Sequence, residues 1–564
     1  MSSCDRDGQA ARQSSAATSA TYFMRARQAK RAPHPYSLPV QRNAVWLGAI
    51  TIVIAIGVAR IASTHHVFSE VLDEPVHIAA GYEWLSGRPY ALDPEHPPLE
   101  RALSALPALM QRVPISNDRD PIARGNDILY FKDDYAHNLA AARRGNLLFF
   151  IVGAIAVAMW AARTFGRVTA LIATAFFTLL PPILGHAGIA TTDIGAAATI
   201  TFAIVALEWW LDAPTLKRGS LLGIAIGIGL ITKFTFLFFF PIAALIVLLI
   251  RRNRIRLASA FCAALVSIIV VWAGYRFEFR TIKSIDPRGD WYAAEAAPKL
   301  VRPLASWFAN RVPIPAPRFA FGIILVQVHN REGHQAFLLG RTSRHGWWYY
   351  FPVVFFFKTP LPFLILALIG IAMIARRAPA VALIPIVMML AVLPSSINIG
   401  VRHILPIYPP LCIAAACATI ALWQSATMRA IVVLLAAWML IGVERAHPDY
   451  LAWFNEAAGD HPERVAVDSN LDWGQDVLRL ARVARRLHIE RMSILYTGNA
   501  VLQRHGLEAD EIRPWSPAPG WYVLSETGLA FNDDARRGAY RWLDDYRMER
   551  VGKSMRLYHV PELR

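Results

Sequence analysis

Long apolar runs alternate with short polar segments through most of the chain. A run of about 20 apolar residues is long enough to cross a bilayer as a helix. The pattern predicts eleven such spans, so most of the chain is an all-α bundle of membrane helices. The predicted spans are 44–63, 146–162, 168–187, 190–211, 219–232, 234–250, 257–275, 350–374, 378–396, 404–423 and 429–443.

Lys233 interrupts one unusually long apolar stretch, residues 219–250. An unpaired ammonium at the centre of a bilayer costs several kcal/mol, which a position between two helices avoids. The sequence therefore predicts a turn at Lys233 between two short helices.

The pattern changes after Val443. Short apolar runs of strand length occur at 491–497, 520–526 and 554–560, and residues 476–487 show a helical period instead. We expect residues 444–564 to form a small α/β domain outside the membrane, following a transmembrane core at 44–443.

Composition agrees with a membrane protein. The 564 residues are 55% hydrophobic, and the mean hydropathy is +0.35, above the range of soluble chains. The net charge of +17 could suggest nucleic acid. However, the basic residues fall mostly in short runs beside apolar spans, which is how cytoplasmic loops orient a membrane protein. We therefore expect membrane lipids and no nucleic acid among the partners.

The basic runs also give a topology. They recur at every second loop, which predicts a disordered basic tail at residues 1–43 in the cytoplasm of a multi-pass protein of the plasma (inner) membrane. The opposite, extracytoplasmic side then receives most of the unusual polar groups. These are the loop 64–145, the turn near Asp193, Lys233, the loop 276–349, the Arg402-His403 turn and the domain after 444.

Acidic and histidine side chains gather in the first outer loop. Asp73 and Glu74 follow the first span, and His77, Glu95 and His96 come soon after. A carboxylate at a membrane mouth can remove the proton from an acceptor hydroxyl, so Asp73 and Glu74 are the candidate catalytic pair. Asp73, Glu74 and His96 are also candidate ligands for a divalent metal ion, although no spacing demands one.

Cations provide a second set of candidates. Lys233, Arg402, His403, Arg341 and Arg344 would suit a phosphate, with Asp193, His345 and Lys358 as further pocket residues. Any single cation near a lipid interface could instead extend to the headgroups.

Several motifs together carry a resemblance. They are the Asp73-Glu74 pair, PEHPPL (94–99), HAGIATTD (186–193), GLITKFTF (229–236), RHGWWYYFPVVFFFKTPLP (344–362), GVRHILPIYP (400–409), HPDYLAWFNE (447–456) and VDSNLDWGQD (467–476). The set resembles the polytopic glycosyltransferases of the GT-C type that use polyprenyl-phosphate sugars, in particular the protein O-mannosyltransferase and lipid A aminoarabinose transferase families.

The resemblance implies an inverting enzyme whose pocket lies on the outer face. It implies that Asp73 is the general base, that Asp193 is a further outer acid, that Lys233 lies near the donor phosphate, and that Arg402-His403 is a late polar pair. The sugar, which could be mannose, and the acceptor, a lipid, polysaccharide or protein, stay open. The sequence reveals no chemical role for SNLDWGQD (469–476).

A transporter or flippase for lipid-linked sugars is the alternative function. Interrupted helices and buried polar groups are also features of a translocation path. The charges, however, gather on one face, and the two halves of the chain show no repeat. The sequence therefore favours the transferase.

Overall fold

The computed structural model describes residues 43–562 except 115–117, 119, 253 and 254. The predicted cytoplasmic tail lies, up to residue 42, outside the described residues. The first helix, α1 (Asn43–Ala62), is apolar and long enough to cross a membrane.

The first outer loop folds into three helices. They are α2 (Glu74–Leu85), α3 (Leu99–Met110) and α4 (Pro121–Leu129). Helix α3 begins directly after Pro97-Pro98, and it buries Glu100 and Arg101. At Gly81 of α2 an added Cβ would lie 2.1 Å from the Arg101 carbonyl oxygen, so α2 and α3 cross almost in backbone contact.

The next seven helices carry the central part of the bundle. They are α5 (Tyr135–Phe165), α6 (Arg167–Leu179), α7 (Pro181–Ala187), α8 (Asp193–Asp212), α9 (Leu216–Thr232), α10 (Phe236–Arg251) and α11 (Leu257–Gly274). Helix α8 is buried along nearly its whole length. Lys233 lies in the break between α9 and α10, as predicted.

The second outer loop forms a ribbon, a helical hairpin and a third helix. In chain order these are β1 (Phe279–Arg280), α12 (Gly289–Ala296), α13 (Arg302–Arg311), β2 (Ile314–Pro315), α14 (Pro317–Glu332), β3 (Ala336–Leu338) and β4 (Arg341–Ser343). β1 pairs with β2 and β3 with β4, both antiparallel.

The remaining membrane helices follow. They are α15 (Tyr350–Lys358), α16 (Leu361–Ile374), α17 (Pro379–Val392), α18 (Tyr408–Leu422), which continues a 3-10 helix (Val401–Ile407), and α19 (Ala426–Ala446).

Two predicted spans are not single straight helices. The span at 168–187 bends by 64° between α6 and α7, and the span at 350–374 bends by 116° between α15 and α16. Proline follows the break in both, at Pro181 and Pro360, where its ring excludes a continuous helix. The described residues contain six helices long and apolar enough to span a membrane, or up to eight if each bent pair is one span. The count of eleven crossings stays a prediction.

The C-terminal region contains a mixed five-stranded sheet. Its helices are α20 (Val477–Arg486), α21 (Glu526–Phe531) and α22 (Asp533–Arg536), and its strands are β5 (Met492–Leu495), β6 (Ala509–Glu511), β7 (Gly520–Ser525), β8 (Met548–Val551) and β9 (Met555–Val560). The strand order is β6-β5-β7-β9-β8. The three predicted strands and the predicted helix are all present, and separate apolar clusters cover the two faces of the sheet.

The expected fold class is confirmed, since a largely helical core precedes a small α/β region. Backbone pairing joins the two regions, because Ser69 N–H donates to the Gln475 carbonyl (3.0 Å) and Leu72 N–H donates to the Trp473 carbonyl (2.9 Å). The SNLDWGQD segment therefore lies directly against the residues that lead into α2.

Candidate active site

Asp73 stands at the start of α2, with Pro75 in the first turn. Its Oδ2 accepts a hydrogen bond of 2.9 Å from Nη1 of Arg402. The Asp73 side chain is 29% exposed, whereas that of Arg402 is 9% exposed. Asp73 is therefore oriented by a buried cation and still has access to the surface.

The ion pair extends inward to two further charges. Nη1 of Arg402 lies 3.9 Å from Oδ2 of Asp193, and Asp193 also forms a close ion pair with Lys233. Thr191 Oγ1 donates to the same Asp193 carboxylate at 2.9 Å. Asp193 begins α8, where the helix dipole favours a negative charge.

Asp73, Arg402, Asp193 and Lys233 thus form a chain of alternating charge, which we call the charge chain. Its formal charges cancel. Each member comes from a different segment, and all four segments were predicted to reach the outer face. In this arrangement the two cations are held before any substrate binds.

Glu74 has a different environment from its neighbour. It is fully buried, and Arg143 donates to both of its oxygens at 2.8 Å. The amides of Val71 (2.8 Å) and Ala190 (2.7 Å) donate to the same carboxylate. With four donors on its two oxygens, Glu74 holds the outer loop to the bundle, so the predicted catalytic pair separates into one accessible and one enclosed acid.

Glu100 is an acid that the sequence interpretation missed. It is fully buried on α3, and its Oε1 accepts from the Gly195 amide at 3.1 Å. Oε2 has no hydrogen-bond partner among the described residues. Burial raises the pKa of Glu100 well above its usual value, and the nearby Asp193 charge raises it further. Both effects favour the uncharged form of Glu100.

His77 and His96 belong to a cluster around Arg101, which was also missed. Arg101 Nε donates to His77 Nδ1 at 2.8 Å, and the guanidinium forms a close ion pair with Asp93. Burial and the Arg101 charge lower the pKa of His77 well below its usual value. Burial alone would raise the pKa of Asp93, but Arg101 and His96 hold it well below its usual range.

The ligand atoms of His77, Asp93 and His96 lie within 4.8 Å of one another. A buried guanidinium already provides the positive charge between two of them, so this set does not fit a divalent cation. The metal ligands expected from the sequence, Asp73, Glu74 and His96, do not form a group of this kind among the described residues.

Glu95 connects the two outer loops. Its Oε2 lies 3.0 Å from Nδ1 of His329, and Nε2 of His329 lies 3.1 Å from Nδ1 of His334. The hydrogen bond to Glu95 raises the pKa of His329, whereas burial and the neighbouring His329 lower that of His334. The chain of side chains ends in an open groove lined by Gly333, His334, Gln335, Thr342, Ser343 and Arg344.

The remaining predicted cations divide between the groove and other places. Arg344 lines the groove, and His345 lies beside Gly333 at its edge. Arg341 is exposed on β4, and no hydrogen bond or ion pair joins it to the charge chain within the described part of the protein. His403 is half-buried next to Arg402, with its ring 6.5 Å from that of Phe351.

Lys358 has a structural role instead of the expected pocket role. Its buried ammonium donates to the carbonyls of Leu451 (2.7 Å), Trp453 and Asn470 (2.6 Å). These acceptors follow the last membrane helix in the chain. Lys358 therefore holds the segment that leads into the C-terminal region against the end of α15.

The VDSNLDWGQD motif (467–476) supplies two further residues at the site. The Arg402 guanidinium lies 4.3 Å from the centre of the Trp473 ring. Asp468 adopts a left-handed backbone (φ 58°), and its amide is held by Thr527 Oγ1 at 2.9 Å. Burial raises the pKa of Asp468 to about 6; Arg402 opposes this and Asp73 adds to it. The only signal in the sequence was the polar motif itself.

Comparison with known proteins supports the resemblance seen in the sequence. Residues 135–275 match the family model described as dolichyl-phosphate-mannose-protein mannosyltransferase. No curated protein matches the chain significantly. The predicted resemblance to polyprenyl-phosphate-dependent glycosyltransferases of the GT-C type is confirmed, and together with its apolar helices it makes the chain an integral membrane protein.

Two solved structures illustrate the similarity. The crystal structure of ArnT from Cupriavidus metallidurans bound to undecaprenyl phosphate is 14% identical, with a TM-score of 0.49 over 91% of this chain and 98% of that chain. The oligosaccharyltransferase from Archaeoglobus fulgidus, tethered to an acceptor peptide containing the NVT sequon, is 12% identical. Its TM-score is 0.45 over 71% of this chain and 54% of that chain.

Proposed function

We propose that the protein is an inverting glycosyltransferase that moves a sugar from a polyprenyl-phosphate donor to an acceptor hydroxyl on the extracytoplasmic face. The observation that carries the proposal is the position of Asp73. It is the one member of the charge chain with substantial exposure, and a buried cation fixes its carboxylate.

In the proposed reaction Asp73 acts as the general base. One of its carboxylate oxygens takes the proton of the acceptor hydroxyl while the hydroxyl oxygen attacks the anomeric carbon. The bond from that carbon to the phosphate oxygen breaks with its electron pair, and the polyprenyl phosphate leaves without needing a proton. Direct displacement inverts the anomeric centre. General-base assistance of this kind contributes about 10² to 10⁴ in rate.

The leaving phosphate needs positive charge that is not already neutralised. Arg402 and Lys233 are each paired with an aspartate, so they stabilise the phosphate best when Asp73 becomes protonated and releases part of Arg402's charge. At the groove, Arg344 adds positive charge, and within the described residues no carboxylate pairs with it. The raised pKa of Glu100 favours its uncharged form, which does not repel the phosphate at the inner end of the site.

No step of this mechanism passes through a metal ion. The described cluster of possible ligands is occupied by Arg101, and Glu74 is saturated by its own donors. The roles left to Glu74 and to the Arg101 cluster are to fix α2 and α3, which carry Asp73 and Glu100.

The test uses the full chain purified into nanodiscs, with polyprenyl-phosphate sugars labelled in the sugar. A panel of donors with mannose, other hexoses and an aminopentose is offered with lipid, polysaccharide or peptide acceptors. We expect transfer of label to an acceptor and release of polyprenyl phosphate with at least one donor. Movement of intact donor across a proteoliposome membrane without release of sugar would instead establish the transporter.

Asp73→Asn should remove transfer while the protein stays folded. The matched control is Asp127→Asn, which makes the same chemical change at an exposed position of α4 in the same outer loop. Retained transfer in Asp73→Asn would contradict the assignment of the base. Mass spectrometry of lipids, cell-wall polymers and secreted proteins from cells lacking the chain would then identify the sugar and the acceptor.

A further inference from the structure

Helix α13 and the turn before it leave a row of large apolar side chains uncovered. We call this row the α13 stripe; it consists of Leu300, Leu304, Trp307 and Phe308, whose exposed fractions are 93%, 62%, 56% and 42%. Their spacing of four, three and one residues places them on one side of a helix. A contiguous apolar patch of this kind marks a surface that contacts something other than water.

The stripe is not the inward face of a loosely packed helix. The opposite side of α13 contributes Ala309 to a buried cluster with Ile282, Ala293 and Phe321. Helix α13 therefore packs on α12 and α14 with one side and presents the stripe with the other.

The base of the hairpin adjoins the membrane. Strands β1 and β2 close it only a few residues after α11 ends at Gly274. Phe277 and Phe279 are more than half exposed there, and both rings contact Trp272 of α11, with centroids 5.3 Å and 6.5 Å apart. The apolar outer surface of α11 thus continues onto the hairpin.

Charge around the stripe is positive. Lys299 and Arg311 flank it, and within the described ranges no carboxylate pairs with either. Arg302 is paired with Glu295, and Asp290 is paired with Lys283, so neither acid neutralises Lys299 or Arg311. Tryptophan and basic residues beside an apolar face are the composition of a helix that lies in a membrane interface. A second copy of the hairpin would bring like charges together, so self-association is disfavoured.

From these observations we propose that the α12–α13 hairpin lies on the leaflet at the Asp73 side of the membrane. The α13 stripe inserts among the acyl chains just below the headgroups, and Lys299 and Arg311 contact anionic headgroups. This surface is separate from the charge chain and does not depend on the proposed reaction. Its effect is to hold α14, which carries His329, at a fixed height above the bilayer.

The test places a fluorescent label at single positions of the full chain in nanodiscs of phosphatidylcholine and phosphatidylglycerol. Cys4 and Cys262 are first changed to serine so that they do not take up the label. Cys412 and Cys417 are buried and can be kept, because the label does not reach them. Leu304→Cys puts the label on the stripe, and Asn310→Cys puts the control at an exposed polar position of the same helix, outside the stripe.

We expect the label at 304 to be quenched strongly by lipids with a spin label high in the acyl chain and weakly by aqueous iodide. The label at 310 should show the reverse. Replacing phosphatidylglycerol by phosphatidylcholine should weaken lipid quenching at 304, and Lys299→Gln with Arg311→Gln should abolish this dependence on lipid charge.

Two results would overturn the proposal. Free quenching of the 304 label by iodide would show that the stripe faces water. Protection from both quenchers would show that protein covers the stripe, as in contact with a second copy, and not lipid.

Discussion

Glu74 and Arg143 form a buried, bidentate ion pair one residue beyond the partly exposed Asp73. The same guanidinium donates to the carbonyls of His65, Phe68 and Ser69, so it ties the end of α1 and the segment before α2 to helix α5. The two adjacent acids therefore differ in their surroundings. Asp73 is accessible, whereas both oxygens of Glu74 are bound by Arg143 and backbone amides that fix the segment carrying Asp73.

Glu74→Gln should destabilise the protein strongly. Removing one partner of a buried ion pair leaves the other charge uncompensated, which costs about 3–5 kcal/mol. The measurement is thermal unfolding of the purified protein in nanodiscs. The control is Asp133→Asn, which breaks the exposed pair with Arg504 and should cost less than about 1 kcal/mol. Equal and small losses in both variants would show that Glu74 is not structural.

Asp73→Asn should give the opposite profile, with near-normal unfolding and lost transfer. A comparison of the two variants therefore separates the two roles within a single experiment. If Glu74→Gln unfolds normally but loses transfer, the catalytic pair expected from the sequence would be correct after all.

The apolar pattern predicted the helices well because burial in lipid imposes a length and a composition that can be read along the chain. It predicted the break at Lys233 for the same reason, since an isolated ammonium has to leave the apolar stretch. It did not show the bends at Pro181 and Pro360 as breaks, because apolar residues continue on both sides of each proline.

The charged groups were harder to assign because their partners lie far away in sequence. Lys358 was expected in the pocket, but its acceptors lie about a hundred residues later, at Leu451, Trp453 and Asn470. Arg101 and Arg143 were missed because a buried arginine on a loop helix looks like any surface arginine until the helix is packed. Asp73, Asp193, Lys233 and Arg402 could be proposed from the sequence because each lies in or near a break between apolar runs on the predicted outer side.

The Asp193–Lys233 pair should show strong coupling. Asp193→Asn and Lys233→Met each leave one buried charge without its partner, so each should lose about 3–5 kcal/mol of stability. The double variant should recover part of this loss, because the remaining charge is no longer unpaired. Unfolding temperatures of the wild type, the two single variants and the double variant measure the coupling.

Transfer activity should not recover in that double variant. The charge chain would then contain Asp73 and Arg402 without the inner pair that holds Arg402 from the other side. Recovery of activity along with stability would mean that the inner pair only supports the fold.

Glu70 should make stability depend on pH. It is buried, its carboxylate accepts from Tyr135, and burial raises its pKa to about 7. The folded state therefore holds the proton more tightly than the unfolded state. Stability from this group is complete below about pH 4.5, falls as the pH rises to about 7 and is constant above that, a loss of up to about 3 kcal/mol.

Glu70→Gln should remove the share of this dependence that Glu70 contributes, while other buried acids such as Asp468 keep theirs. We expect the variant to be more stable than the wild type at pH 8 and nearly equal to it at pH 4.5, as measured by thermal unfolding across that range. Glu508→Gln, at an exposed position of the C-terminal region, serves as the control and should leave the profile unchanged. A wild-type profile in Glu70→Gln would contradict the assignment.

Trp473 should position Arg402 through its ring face. The contact at 4.3 Å is a cation–π interaction in a buried setting, which contributes about 2 kcal/mol. Trp473→Leu removes the ring face, so Arg402 should hold Asp73 and the leaving phosphate less well. If most of the cation–π energy is lost in the transition state, kcat should fall by about ten-fold. The change in KM should be smaller.

Trp473→Phe retains a ring face and should restore part of the rate, which a purely space-filling role would not require. Trp515→Leu removes an exposed tryptophan from the same C-terminal region and should leave kcat unchanged. If Trp473→Phe and Trp473→Leu lose rate equally, or if both change only the unfolding temperature, then the ring fills space beside Arg402 without orienting it. The contribution of the C-terminal region would in that case be structural, through contacts such as the hydrogen bonds of Lys358 and the Ser69–Leu72 pairing.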